Sequence, residues 1–285
     1  MVEDDLEPER DMAATGEGGT VVDDDRPPNY RNLRTRSIRQ ATSMIPKIIH
    51  QTWKSADIPP HLRGFQDSWR HHHPGWEYRL WDDAANEALL TEHYPEFLSY
   101  FREATPAIVR IDLVRLAYLH RYGGVYADLD YELLRPLDDL LDIPHAIVGR
   151  EQHGIGRVLR GRDYVINALM ASPPGHPLWL EVMHGMVQTY RPRRILERHT
   201  AHAMKMGIGV LDDHAESRLR SHGDIVILSP EAFYPSAPTE RITDHRRRDA
   251  AAKGSYGIHH YENSWRTPLA RLVNRGRAVI QSCYR

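Results

Sequence analysis

The amino-acid sequence predicts one α/β domain with a mainly parallel central sheet. From residue 45 to about residue 261, short β-branched runs alternate with stretches in which apolar residues recur at helical spacing. Helices placed between strands of this length favour parallel pairing, with the sheet covered on both faces. Ligands of such sheets bind beyond the carboxyl ends of the strands, so we expect the functional residues there.

The first 43 residues differ from the rest in charge. Residues 1–25 hold ten acidic side chains and one basic side chain, and residues 26–39 hold five arginines and no acid. Blocks of like charge repel one another and bury little apolar surface. We therefore expect a disordered charged tail over residues 1–43 and a single folded domain over residues 44–285.

Composition excludes several classes of protein. The 285 residues are 41% hydrophobic and 27% charged, which is the globular range. A net charge of -2 gives no argument for nucleic-acid binding. The single cysteine, Cys283, cannot form an intrachain disulfide. No apolar run reaches the roughly 18 residues of a membrane span, and the acidic start lacks the layout of a signal peptide, so we expect a cytoplasmic protein.

Strand signals are runs of β-branched and aromatic residues. The first such run opens with Pro46 and ends at Trp53, and another follows the glycine pair Gly123-Gly124. The predicted strands lie at residues 45–52, 77–81, 125–131, 146–149, 224–228 and 256–261.

Helix signals are apolar residues at spacings of three and four, bounded by capping and breaking residues. Thr105 and Pro106 are suited to an N-cap and a first turn, and Gly123 is suited to ending the helix that follows. The predicted helices lie at residues 62–73, 83–92, 95–104, 105–122 and 179–190. His71–His73 is interpreted as an exposed helix end, and Arg246–Arg248 as part of a solvated loop or a flexible lid.

The helix that ends at Tyr122 is apolar on nearly every side, which is typical of a buried helix. It nevertheless carries Asp112 and Arg115, and buried ions need partners. Because these two residues are three positions apart, they share a face of the helix. They can pair with each other or bind a polar ligand, and the sequence leaves both interpretations open.

Two carboxylates, Asp128 and Asp130, follow the glycine pair and an apolar strand. Alternation along a strand would direct both to one side and Leu129 to the other. Carboxylates so close repel each other unless a positive charge lies between them, and a divalent cation would supply it while leaving coordination positions for phosphate oxygens. The pattern therefore predicts a site for Mg²⁺ or Mn²⁺ with a diphosphate. The same D-x-D spacing at Asp23 and Asp25 is interpreted as solvated charge.

At this point the chain resembles a known family, the D-x-D sugar transferases. These include the yeast initiating α-1,6-mannosyltransferase and the inositol-phosphoceramide mannosyltransferases of glycosyltransferase family 32, and more distantly the large clostridial glucosylating toxins. The matching segments are IPKIIHQTWK (45–54), HPGWEYRLWDD (73–83), RIDLVRLAYLHRYGGVYADLDYELLRPLD (110–138), FYP (233–235) and IHHYENSW (258–265).

The resemblance implies a GT-A type, Rossmann-like domain, a UDP- or GDP-sugar donor, a divalent metal and retention of anomeric configuration. By position, Asp128 and Asp130 would hold the metal and the donor, with His259 or His260 as a late metal ligand. The other positions carried over are expected to contact the donor: Trp53 on the base, Tyr126 near the nucleotide, Asp112, Arg115 and Asn167 at the sugar, and Ser264 and Trp265 on a closing loop.

For the reaction, we expect the metal, with Arg115 or Arg135, to neutralise the leaving diphosphate, so that no side-chain base is needed. The acceptor would be a glycan, a lipid-linked glycan or a glycolipid. One departure from the mannosyltransferase branch is that its Thr-Gly-Pro element is replaced by ERHTAHAMKMG (197–207). After Glu262 the chain holds five arginines and no acid, which allows peripheral contact with the anionic inner face of a membrane.

Two other interpretations fit the D-x-D pair. A haloacid-dehalogenase-like phosphatase also has this motif at a strand end, although Glu132 stands where those enzymes usually have Thr or Val. A non-catalytic protein that binds nucleotide sugars would keep the same residues without transferring the sugar.

Overall fold

A computed structural model describes residues 44–152, 161–191, 199–238 and 240–262. The predicted tail, residues 1–43, lies outside the described residues. The strands are, in chain order, β1 (Ile48–Thr52), β2 (Glu77–Trp81), β3 (Gly124–Ala127), β4 (Tyr131–Leu133), β5 (Ala146–Glu151), β6 (Tyr164–Ser172), β7 (Ile225–Leu228) and β8 (Gly257–His259).

Helices connect most of these strands. They are α1 (Pro60–His72), α2 (Asp83–His93), α3 (Leu98–Glu103), α4 (Ala107–Tyr122), α5 (Pro177–Thr189), α6 (His199–Met206), α7 (Ile208–Ser221), α8 (Pro230–Phe233) and α9 (Asp244–Ala252), with short 3₁₀ turns at Pro95–Phe97 and Asp138–Leu140. None of the helices in the described ranges combines the length and apolar character that crossing a bilayer requires.

The central sheet has six strands in the order β2-β1-β3-β6-β5-β7. Strand β1 pairs in parallel with β2 and β3, and β5 pairs in parallel with β7. Only β6 runs against its neighbours β3 and β5. This confirms the predicted α/β class with a mainly parallel sheet, and it agrees with the GT-A type that the resemblance implies. The reversed β6 leaves the carboxyl ends of β1, β3 and β5 at one edge.

Apolar side chains cover both faces of this sheet. On one face, α4 packs against α5 and the sheet, and its residues Leu113, Val114 and Ala117 are fully buried. On the other face, Trp69, Tyr131 and Tyr234 belong to a second buried cluster. The prediction of a helix that is buried on nearly every side is therefore confirmed, and this burial determines the environment of the charges on α4.

The glycine pair that ends α4 has the backbone conformations that the turn requires. Gly123 and Gly124 have φ angles of 65° and 92°, in the region that favours glycine. A Cβ on Gly124 would lie 2.5 Å from the carbonyl oxygen of Ile48, on the neighbouring strand β1. The chain can therefore enter β3 directly from the helix only because both positions lack side chains.

Four predictions of local structure were wrong. Thr105 does not cap α4, because the N-cap is Pro106 and no side chain makes a capping hydrogen bond there. The strand predicted to reach Tyr131 ends at Ala127, because a turn follows in which the Tyr131 amide donates to the Asp128 carbonyl at 3.0 Å. Residues 246–248 lie in α9 rather than in a loop, since Thr243 caps that helix by accepting from the Arg246 amide. His73 is buried and its ring stacks on Trp76, so the histidine run does not simply face solvent.

Candidate active site

The two aspartates are positioned by the end of β3 and the turn after it. The amide of Asp128 donates to the carbonyl oxygen of Ala168 on β6 at 2.8 Å, which continues the sheet pairing by one residue. The turn then carries Asp130 back toward the same edge. The pair therefore lies at the carboxyl end of β3, but the turn, rather than strand alternation, brings the two carboxylates together.

A histidine from the end of the described chain joins them. Strands β4 and β8 form an antiparallel ribbon in which Tyr131 lies opposite His259. This places His259 Nε2 3.2 Å from Asp130 Oδ1 and 3.8 Å from Asp128 Oδ2. One potential ligand atom from each of the three residues lies within 4.8 Å of the others. Asp128, Asp130 and His259 are referred to below as the cation cluster.

The second oxygen of each carboxylate is held by protein donors. Asp128 Oδ1 accepts from the Tyr126 hydroxyl at 2.6 Å and pairs with Arg115 Nη1 at 3.0 Å. Asp130 Oδ2 accepts from the Glu262 amide at 2.7 Å. Each aspartate is thus anchored through one oxygen and presents the other to the cluster. The side chains of Asp128 and Asp130 are 24% and 16% exposed, so the cluster can be reached from solvent.

The two neighbouring histidines have different environments. His260 Nε2 lies 2.7 Å from Glu132 Oε2, and its ring lies 4.1 Å from the Phe65 ring. It is on the other side of the ribbon from the aspartates. Of the two histidines that the sequence offered as a metal ligand, the structure brings His259 to the aspartates and places His260 on Glu132.

Arg115 connects the candidate residues behind the cluster. Its side chain is 2% exposed, and its guanidinium lies 3.4 Å from Asp112 and donates to the Asn167 carbonyl at 3.0 Å. The same group lies over the Tyr126 ring, 4.7 Å from its centre. The Asp112 carboxylate in turn accepts a hydrogen bond from the side-chain amide of Asn167 at 2.8 Å. The internal ion pair that the sequence allowed is therefore present, within a buried network that supports Asp128.

Contact of Asp112, Arg115, Tyr126 and Asn167 with a donor stays a prediction. Arg135, the other candidate for phosphate, is bound by Asp139 at 2.6 Å and also donates to the Gly254 carbonyl. These contacts lie past the end of the β4–β8 ribbon that is farther from the cation cluster. Of the two arginines, Arg115 is therefore the one at the site.

Burial and neighbouring charges shift the pKa values of the ionisable groups at the site in different directions. Burial raises the pKa of Asp112 to about 6 although Arg115 opposes the shift, and burial also raises the pKa of Asp128. Burial acts to raise the pKa of Asp130 as well, but His259 and hydrogen bonds outweigh it and lower that pKa. Burial acts to lower the pKa of His259, but the negative charge of Asp130 outweighs it and raises that pKa.

The chemistry of these donors fits a divalent cation. Two carboxylate oxygens and an imidazole nitrogen suit Mn²⁺, and the carboxylates alone suit Mg²⁺. All three donor atoms are within reach of one ion, and the oxygens that do not face the cluster already have partners. The residues that would hold the ion are thus those of the cation cluster.

Two residues at the site were missed by the sequence reasoning. Glu151 ends β5 at the same edge of the sheet and is buried, and burial raises the pKa of its carboxyl group. Tyr261 has a φ angle of 51°, unusual for a residue with a side chain, and its ring lies 4.1 Å from the His259 ring. A glutamate that closes an apolar strand was the available signal for Glu151, whereas no local pattern marks Tyr261.

The remaining predicted residues lie close to this edge or outside the described chain. Trp53 follows β1, its amide donates to the Trp81 carbonyl at 3.0 Å, and its ring packs beside the small cluster that contains Leu129. It is therefore near the D-x-D turn and partly exposed. Ser264 and Trp265 lie outside the described residues, as do the arginines that follow them.

The part of the chain that holds both aspartates is similar to a known protein family. Residues 59–146 match the family described as the glycosyltransferase sugar-binding region containing the DXD motif. This segment of the chain is therefore similar to the sugar-binding region of the DXD glycosyltransferases. The match includes α4, β3 and both aspartates of the cation cluster, and the resemblance expected from the sequence is confirmed.

The curated relatives include yeast proteins. Inositol phosphoceramide mannosyltransferase 3 of Schizosaccharomyces pombe is 37% identical over 145 residues, 51% of this chain and 38% of that protein. Mannosyl phosphorylinositol ceramide synthase SUR1 of Saccharomyces cerevisiae is 38% identical over 143 residues, 50% of this chain and 35% of that protein. The chain spans well under half the length of these DXD relatives.

Solved structures with similar folds also include glycosyltransferases. PaToxG glycosyltransferase is 14% identical and has a TM-score of 0.45, and the match covers 83% of this chain and 89% of that chain. The UDP-bound glycosyltransferase domain from the YGT toxin is 9% identical and has a TM-score of 0.47, and the match covers 65% of this chain and 79% of that chain.

Proposed function

We propose that this protein is a metal-dependent glycosyltransferase that moves a sugar from a nucleoside-diphosphate sugar to the hydroxyl group of an acceptor. The observation that carries the proposal is the cation cluster at the carboxyl edge of the sheet. In it, Asp128, Asp130 and His259 each present one ligand atom, and the two aspartates lie within residues 59–146, which match the DXD glycosyltransferase family. Ligands of α/β sheets bind at such edges.

A bound divalent cation would supply Lewis-acid stabilisation of the negative charge that develops on the leaving diphosphate. The protein's own residues would prepare this site in advance. Arg115 and Tyr126 fix the orientation of Asp128, and the Glu262 amide fixes that of Asp130. Ligands held in advance need no reorganisation when charge develops, which is the main source of electrostatic catalysis.

Retention of configuration is part of the proposal. The bond between the anomeric carbon and the diphosphate oxygen breaks, and the acceptor oxygen bonds to that carbon on the face that the diphosphate leaves. The acceptor proton passes to an oxygen of the departing diphosphate, so the step needs no side-chain base.

A glycolipid acceptor and a mannosyl donor are supported by the similarity to the yeast inositol phosphoceramide mannosyltransferase and mannosyl phosphorylinositol ceramide synthase. The replacement of the Thr-Gly-Pro element by residues 197–207 makes the acceptor side the part most open to difference. We also propose a cytoplasmic location with peripheral contact at the inner face of a membrane through the arginines after Glu262. Co-sedimentation with anionic vesicles that does not depend on salt would contradict that contact.

The deciding experiment incubates the full chain with Mn²⁺ and a panel that includes GDP-mannose and UDP-glucose. Inositol phosphoceramide in mixed micelles is the acceptor in one arm, and water is the only acceptor in the other. We expect release of the nucleoside diphosphate from one donor, transfer to the lipid, and a product whose NMR coupling constants show the anomer of the donor.

Other outcomes of the same experiment identify the other interpretations. Donor binding without release or transfer would indicate the non-catalytic alternative. Release of phosphate from an aryl phosphate, with no activity on any nucleotide sugar, would indicate the phosphatase.

A further inference from the structure

The ribbon formed by β4 and β8 has a second ionic cluster on the side opposite to the cation cluster. There, His260 Nε2 lies 2.7 Å from Glu132 Oε2, and the two side chains are only 9% and 18% exposed. In the sequence, these residues are close neighbours of Asp130 and His259. The ribbon thus presents a cation-binding side and, on its other side, a glutamate–histidine pair.

Helix α9 closes over this pair. Arg247 Nε donates to both oxygens of Glu132, at 3.1 and 2.9 Å, and Arg247 Nη1 lies 2.9 Å from Asp244 on the same helix. Phe65 of α1 covers the other face of the His260 ring. Glu132 therefore links β4, β8 and α9 through one carboxylate.

His259 lies directly before His260 at the end of β8. Strand β8 has three residues and ends at His259, and the next backbone contact across the ribbon is from the His260 amide to the Asp130 carbonyl at 2.9 Å. The ring nitrogen of His259 that does not face the aspartates, Nδ1, is buried, and no group of the described residues hydrogen-bonds to it. The position of the ring therefore depends on the backbone on either side and on packing against the Tyr261 ring.

We propose that Glu132, held by Arg247, is a positioning residue for the cation cluster and acts on His259 through His260. This role rests on the proposed function, because it requires that the cluster bind a divalent cation. A donor atom displaced by a fraction of an ångström binds a cation less well, and residues that orient metal ligands typically change metal affinity by roughly 10–100-fold.

Electrostatics alone would predict a different pattern of mutant effects. Removing the Arg247 charge should strengthen cation binding if long-range charge were the only effect, because a positive group near the site would be gone. Loss of positioning predicts the opposite, a weaker affinity. Similarly, Glu132→Ala and Glu132→Gln remove the same negative charge, but only the glutamine keeps an oxygen that can accept from His260.

The test measures binding of Mn²⁺ alone to the full-length chain, from the electron paramagnetic resonance signal of free Mn²⁺. We expect about tenfold weaker binding for Glu132→Ala, the lower end of the usual range, and recovery to within threefold of wild type for Glu132→Gln. Arg247→Ala should weaken binding several-fold. Arg246→Ala, which removes another arginine of α9 and breaks its ion pair with Glu240, is the matched control and should bind like wild type.

Several results would overturn the positioning role. These are equal loss of affinity in Glu132→Ala and Glu132→Gln, tighter binding in Arg247→Ala, or affinities within twofold of wild type in Glu132→Ala and Arg247→Ala. Urea unfolding in the presence of EDTA checks that each variant is folded, and if Glu132→Ala is not, the sign of the Arg247→Ala effect decides. Failure of the wild-type chain to bind Mn²⁺ is a separate result that removes the proposed metal-dependent function.

Discussion

Replacement of Asp128 by asparagine tests the cation cluster most directly, because the structure determines how the amide would orient. Oδ1 of Asp128 receives two donors, the Tyr126 hydroxyl at 2.6 Å and Arg115 Nη1 at 3.0 Å. In the Asp128→Asn variant the carbonyl oxygen should occupy that position, since an amide nitrogen there would meet two other donors. The amide nitrogen then points at the cation cluster, where it offers no lone pair and repels a cation.

The expected cost can be worked from these contacts. We expect Mn²⁺ affinity to fall at least about 100-fold, because one of the three atoms that would bind the metal is replaced by an NH₂ group, which cannot bind it. Sugar transfer should lose about 3–4 kcal/mol of transition-state stabilisation, or roughly 10²–10³-fold in rate. The free energy of unfolding should fall by only about 1–3 kcal/mol, because Arg115 keeps its contacts with Asp112 and the Asn167 carbonyl.

Three measurements on purified protein check this prediction: Mn²⁺ titration by electron paramagnetic resonance, donor turnover, and urea unfolding. Asp249→Asn, on the surface of α9, makes the same change of charge and should match wild type in the first two. The reasoning is refuted if Asp128→Asn binds Mn²⁺ within threefold of wild type and transfers sugar at a similar rate while it remains folded.

Three further predictions concern the residues that support the site. Burial lowers the pKa of His50 from 6.5 to about 4, so on acidification this histidine takes up its proton first in the unfolded chain. The free energy of unfolding therefore falls by up to about 3 kcal/mol between pH 6.5 and 4. Urea unfolding at pH 7.5 and 4.5 should show a smaller acid loss in His50→Gln than in wild type. Arg115→Met, which leaves buried carboxylates uncompensated, should cost about 3–5 kcal/mol in the same assay at neutral pH. Gly207→Ala would place a methyl group 2.3 Å from Asp112 Oδ2 and should cost about 1–3 kcal/mol, whereas Gly75→Ala, which meets nothing within 4 Å, should unfold more like wild type.

Local pattern was sufficient where the physical cause is local. The apolar character of residues 108–119 predicted a buried helix, and the glycine pair after it marked the turn into β3, because only glycine adopts those backbone angles without strain. The same patterns failed where a short segment could adopt two structures. Arg246–Arg248 has no apolar periodicity, so the helix begins at its cap and is held by ion pairs such as Arg247 with Glu132.

By itself, the sequence determined the α/β class, the family resemblance, and the two aspartates that follow an apolar strand. Only the tertiary structure decided that His259 joins them while His260 binds Glu132, and that Arg115 holds Asp128 from behind. The physical reason is that periodicity reports which side chains are buried along one element, whereas these contacts join different elements, and Glu132 and His260 are 128 residues apart in the sequence. Which of two adjacent histidines faces a carboxylate depends on the register of the β4–β8 ribbon, and that register is set by pairing and packing between distant segments.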